Sequence, residues 1–139
     1  MPTFLFKTEP STYSFADLVR DRHTTWDGVS NALALIHLRT AKKGDLVVIY
    51  HSGDDRAAIG IARVTKAAYP DPKLEDPSRV VVDLEPVEKL ARPVSLAEFR
   101  GDAVFKSLEL VRNTRLSVMP MSDAQIARLR AIVARPARA

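Results

Sequence analysis

Residues 46–64 read LVVIYHSGDDRAAIGIARV, and this stretch decides the fold class. Leu46–His51 is β-branched and aromatic, Ser52-Gly53-Asp54-Asp55 is a polar turn, and Ala57–Val64 is apolar again. The pattern predicts an antiparallel hairpin. Gly60 falls inside the second strand, where a bulge or a close backbone approach is the usual reason for a glycine.

Working outward toward the N-terminus, Phe4-Leu5-Phe6 is a short apolar strand stopped at Pro10, and Ser14 followed by Asp17 has the form of a capping box. Trp26-Asp27-Gly28 signals a turn, and Asn31 through Ala41 is a leucine-rich helix with Gly44 as its expected stop. On the other side, Tyr69–Pro77 holds three prolines and is expected as a surface loop. Val80, Val82 and Leu84 alternate with Asp83 and Glu85, as on a strand with one wet face. Ser95 with Glu98 and Ser122 with Gln125 are further capping boxes, Leu116–Met119 is a strand ended by Pro120, and Ile126, Leu129 and Val133 stripe the last helix. Short strands interspersed with small helices are neither a regular βα repeat nor a bundle. They predict a mixed α/β (α+β) domain around a compact, curled sheet.

At 139 residues the chain is sized for one domain, expected over 1–134, followed by a basic tail at 135–139. There are no cysteines, which excludes a disulfide scaffold, thiolate zinc sites and a cysteine nucleophile. The N-terminus has no signal-peptide pattern, and the apolar runs are short, so a cytoplasmic location is expected. Residues 1–123 carry 17 basic and 17 acidic side chains, and the net charge of +4 resides entirely in Arg128, Arg130, Arg135 and Arg138. A case for nucleic acid therefore needs a local site, with the tail adding only salt-dependent affinity.

Several residues could form such a site. Trp26 is the single tryptophan; it is either a core aromatic or a platform on which a base stacks. Tyr50, His51 and Ser52 leave the sheet where the strand meets its turn; His51 is either a general base or a hydrogen-bonded turn histidine. Lys7, Thr8 and Glu9, directly after a buried strand, are either one wet strand face or a pocket rim offering a cation, a hydroxyl and a carboxylate to one polar ligand. Asn31 has the amide that reads a base edge, and also the chemistry of a helix cap. The histidines lack metal-ligand spacing, and no P-loop, H-E-x-x-H or G-x-S-x-G motif is present, so neither metal nor cofactor is expected.

In order along the chain, Lys7-Thr8-Glu9-Pro10, Trp26-Asp27-Gly28-Val29 with Asn31, Gly44-Asp45, Tyr50-His51-Ser52, Arg92-Pro93-Val94-Ser95-Leu96 and Arg115-Leu116-Ser117-Val118-Met119-Pro120 resemble the EVE domain family. The resemblance spans almost the whole chain. It implies a PUA-like fold, a curled sheet or pseudobarrel with short helices around it, related to the YTH domains that read methylated adenine. It also implies a reader of modified bases in DNA or RNA, with Thr8, Glu9, Pro10, Trp26, Asn31, Tyr50, His51, Ser52, Ser117 and Val118 lining one pocket. The chain departs from the family pattern at Ser30, Ala32, Leu35 and Ile36, where many relatives carry two arginines, a tyrosine and an asparagine. Either this branch binds a different or smaller ligand, or phosphate contacts come from elsewhere, with Lys7, Arg39, Lys42, Lys43, Arg112 and Arg115 as the expected cations.

Three functions compete on this reading. The first is a non-enzymatic module binding a modified nucleobase. The second is a small hydrolase-like enzyme with His51 as base, Asp27 or Glu9 as orienting acid and Ser52 as nucleophile. Against it, neighbours on a strand point to opposite faces. The third is a protein-interaction domain docking through the basic last helix.

Overall fold

The computed structural model describes residues 2–113 and 115–134; the tail expected at 135–139 lies outside them. Six strands form one sheet: β1 (Thr3–Thr8), β2 (Thr24–Trp26), β3 (Leu46–His51), β4 (Ala57–Pro70), β5 (Val80–Ser95) and β6 (Val118–Met121). Their order is β2-β5-β4-β3-β1-β6, with β1 and β3 parallel and every other pair antiparallel. The sheet is mixed, curled and unclosed, with β2 and β6 as its rims. Around it lie α1 (Phe15–Asp21), α2 (Ala32–Arg39), α3 (Leu96–Arg100), a 3-10 turn at Ala103–Phe105, α4 (Glu109–Arg112) and α5 (Asp123–Ala134). No helix among the described residues is long and apolar enough to cross a membrane.

The hairpin forms as the sequence predicts, with Leu46 opposite Arg63 and His51 opposite Ala57. All three capping boxes are made: the Ser14, Ser95 and Ser122 hydroxyls accept from the backbone N–H three residues on, and Asp17, Glu98 and Gln125 accept in return. Each such cap stabilises a helix start by ~1 kcal/mol. Gly60 has the close approach expected of it. A Cβ there would stand 2.4 Å from the buried ring of Phe15, so α1 lies on the sheet only because that position is bare. The core runs from Phe6, Phe15 and Leu38 through Ile49, Ile61 and Leu84 to Phe99 and Phe105, whose rings meet at 4.8 Å.

Four local expectations are corrected. Trp26 closes the rim strand β2, paired with Val82, instead of occupying a turn before a helix. Helix α2 ends at Arg39, because the Thr40 N–H and Oγ1 both turn back onto the His37 carbonyl before Gly44 is reached. Tyr69 and Pro70 belong to β4, paired with Val81 and Val80, and the loop begins only at Asp71. Pro120 sits inside β6 opposite Phe4, which a rim strand tolerates because its missing N–H faces away from the ladder.

Candidate nucleic-acid interface

The strand period of two sorts the residues at the end of β1. Thr8 is level with His51 in the parallel register, and Lys7 is level with Tyr50, so the two pairs face opposite sides of the sheet. Beyond β1 the chain turns sharply, with the Thr12 and Tyr13 N–H groups both donating to the Glu9 carbonyl and Thr8 Oγ1 donating to the Tyr13 carbonyl at 2.7 Å. The turn sets Tyr13 against the rim strand β2. On the other flank the Lys7 N–H donates to the Ser117 carbonyl at 2.9 Å and fixes the approach to β6.

These elements enclose a cleft of about 690 Å³, lined by Lys7, Thr8, Glu9, Tyr13, Trp26 and Ser117 together with Thr12, Thr24, Thr25, Asp27, Gly28, Val29 and Lys73. That is within the range of small-ligand sites. Trp26 is both core and wall. Its ring packs on Phe6 at 5.7 Å and takes the edge of Tyr13 at 6.3 Å, leaving it 8% exposed. Its N–H has no protein partner among the described residues, yet it is not sealed from solvent, and the same holds for the Ser117 hydroxyl. Both are donors open to a ligand. The Glu9 carboxylate supplies an acceptor and packs against Gly53, where a Cβ would meet it at 2.5 Å.

Burial pulls the Lys7 ammonium below the usual lysine range. Burial also pushes the Tyr13 phenol up, and its O–H donates to Asp21 at 2.9 Å. Across the mouth, Lys73 stands 3.8 Å from Asp27. The rim thus balances two cations against two carboxylates.

The structure does not gather every expected residue here. Tyr50 and Ser52 line a second cleft on the Lys7 side of the sheet. His51 is buried under α1, with Nε2 accepting from the Phe15 N–H at 3.0 Å and Nδ1 3.0 Å from Asp55 Oδ2. Asn31 caps α2, its Oδ1 accepting from the Ala34 N–H. Val118 is wholly buried, and Pro10 does not reach the cleft. Among the departures, Leu35 is a core residue, while Ser30, Ala32 and Ile36 are exposed outside the cleft. Of the cations expected on phosphate, Arg39 donates to the Ser78 carbonyl, Arg112 pairs with Glu109, and Lys42, Lys43 and Arg115 are exposed. Sequence reasoning missed Tyr13, Val29 and Lys73. Tyr13 follows the Lys7–Pro10 motif so closely that a tight turn after Pro10 was the available signal. Lys73 reaches the mouth from a loop with no pattern to mark it. No group of His, Asp or Glu side chains among the described residues is placed to hold a metal.

A curled, open six-stranded sheet with short capped helices and a cleft at the end of β1 defines a small PUA-like domain. Within that class the chain belongs to the EVE domain family, whose model matches residues 3–132. Rat thymocyte nuclear protein 1 is 30% identical over 88% of this chain and 69% of its own length. A crystal structure of a protein from Agrobacterium tumefaciens superposes with a TM-score of 0.92 at 27% identity, covering 96% of this chain and 94% of that one. Human THYN1, solved in complex with DNA containing 5-methylcytosine, superposes with a TM-score of 0.91 at 24% identity, covering 99% of this chain and 100% of that one.

Proposed function

We propose that this chain is a binding module that takes a modified nucleobase of DNA or RNA into the Trp26 cleft without transforming it. The observation that carries the reading is the set of polar atoms beside an aromatic wall: the open Trp26 N–H and Ser117 O–H, and the Glu9 carboxylate, which accepts only a long 3.4 Å bond from the Ser11 hydroxyl. Two donors and an acceptor match the carbonyls and exocyclic amine on a base edge, and each hydrogen bond made contributes ~0.5–1.5 kcal/mol. The DNA complex of human THYN1 supports a base as the ligand. A base reaches such a cleft only when flipped out of a duplex or already single-stranded. An added methyl group would lie against Val29 and the Tyr13 ring, a burial worth ~0.8 kcal/mol, or about fourfold in affinity.

The absence of turnover is part of the same proposal. With Nε2 accepting from Phe15, the ring proton of His51 sits on Nδ1 and is donated to Asp55. Both nitrogens are occupied by the protein, and Ser52 opens on the other face of the sheet. The test is an array of oligonucleotides with cytosine, 5-methylcytosine and other modified bases, followed by mass spectrometry of the strands. Selective binding with strands intact is expected. Equal binding of every strand, or a product whose formation requires His51, would overturn the reading.

A further inference from the structure

Most described arginines are spent inside the protein. Arg20, Arg63, Arg92, Arg112, Arg128 and Arg130 pair with carboxylates, while Arg39 and Arg79 donate to carbonyls. Arg56 and Arg100 make no side-chain hydrogen bond or ion pair among the described residues, and both line one cleft of about 310 Å³. Lys7, Tyr50, Ser52 and Gly53 complete its polar lining, and no carboxylate lines it. Two acids stand next to it: Asp55, held 3.0 Å from His51 Nδ1, lines an adjoining hollow with the same two arginines, and Glu9 reaches Gly53 from the Trp26 cleft.

The arginines are also held in place. Arg56 has φ 43, a left-handed conformation unfavourable for any residue with a Cβ, and its carbonyl accepts from the Leu96 N–H at 2.8 Å. That bond ties the hairpin turn to the start of α3, whose last residue is Arg100. The Tyr50 phenol between them has no protein partner and opens on the cleft. Burial pushes that phenol up, and the Arg56 and Arg100 charges act in the opposite direction.

Lys7 lines both clefts, and Glu9 of the first packs on Gly53 of the second. The two hollows therefore meet over the end of β1. We propose that the cleft of Lys7, Ser52, Arg56 and Arg100 is a phosphodiester site, holding the backbone of the strand whose base enters the Trp26 cleft. Planar guanidinium groups suit phosphate oxygens, and the serine and tyrosine hydroxyls add donors. The proposal rests on the nucleobase reading for the identity of the strand, but its cationic geometry stands apart from it.

The test uses the full chain and the double variant Arg56→Gly, Arg100→Gln. Glycine suits the positive φ, and the Arg100→Gln change breaks no side-chain hydrogen bond or ion pair among the described residues, so the unfolding midpoint should not fall. Binding is measured against salt with a short single-stranded DNA carrying a central 5-methylcytosine and with its unmethylated twin. Expected are a roughly tenfold loss of affinity on both strands, an unchanged preference between them, and a salt slope smaller by about 1.4, since each phosphate contact on a single strand contributes ~0.7. Inorganic phosphate should also shift the Arg56 and Arg100 Nε–H resonances of the wild type. If the wild type shows no preference but the variant still loses affinity and slope, the base reading fails and the phosphodiester site stands. A preference retained together with an unchanged slope overturns the site and leaves the reader. Absence of binding to either DNA overturns both.

Discussion

The imidazole of His51 closes the N-terminal end of α1: its Nε2 accepts the Phe15 N–H at 3.0 Å, across 36 residues of sequence. Ser14 caps the Asp17 N–H of the same turn and Asp17 accepts from the Ser14 N–H, so three side chains each take one donor at this helix start. His51→Ala therefore leaves a buried N–H without a partner, and a loss of ~1–3 kcal/mol is expected. Urea unfolding measures it. A histidine acting in catalysis would lower turnover with stability unchanged.

Gly60→Ala should cost ~1–3 kcal/mol, because the new methyl meets a ring that is 1% exposed and has nowhere to move. The double variant with Phe15→Leu should cost less than the sum of the two single changes. If the costs simply add, the Phe15 contact is not what demands glycine at this position.

Trp26→Phe keeps an aromatic wall and removes the indole donor. Affinity for the preferred oligonucleotide should fall about 2- to 10-fold, the value of one hydrogen bond, with the salt slope unchanged. Fluorescence anisotropy over a salt series reads both quantities. Trp26→Ala is a poorer probe, since removing a core ring costs ~3–5 kcal/mol of stability.

Glu98 carries a pH dependence. Its carboxylate takes two bonds from the Arg92 guanidinium, at 2.9 and 2.7 Å, and these hold it below the usual carboxylate range despite the opposing effect of partial burial. A depressed carboxylate stabilises the fold above its unfolded pKa of ~4.3 and loses that contribution as pH falls through the folded value. Wild type should exceed Glu98→Gln in stability at pH 7, with the gap closing below about pH 4. A gap constant from pH 3 to 7 would show that the ion pair contributes nothing.

Local chemistry was legible wherever one residue type fixes one geometry. Ser14, Ser95 and Ser122 each announced a helix start, and Gly60 announced a close approach. The long strands were not legible, because prolines read as breaks. Pro86 lies opposite Ala62 at a register shift, and Pro93 lies within the irregular stretch between Lys89 and Val94, so the β4–β5 ribbon absorbs both as bulges. The candidate site was legible in part. The family motifs brought Thr8, Glu9, Trp26 and Ser117 to one cleft across more than 100 residues of sequence. They also ran Tyr50, His51 and Ser52 together as a block. Alternation along β3 separates that block, sending Tyr50 and Ser52 to one face and His51 to the other.

Pro120 bears on how copies of this chain meet one another. An open sheet offers its outermost strands as templates on which a second molecule can extend the ladder. At one end β2 is only three residues long, and at the other β6 carries a proline that has no N–H to donate. Both outermost strands are therefore poor templates on which a second copy could extend the ladder edge to edge.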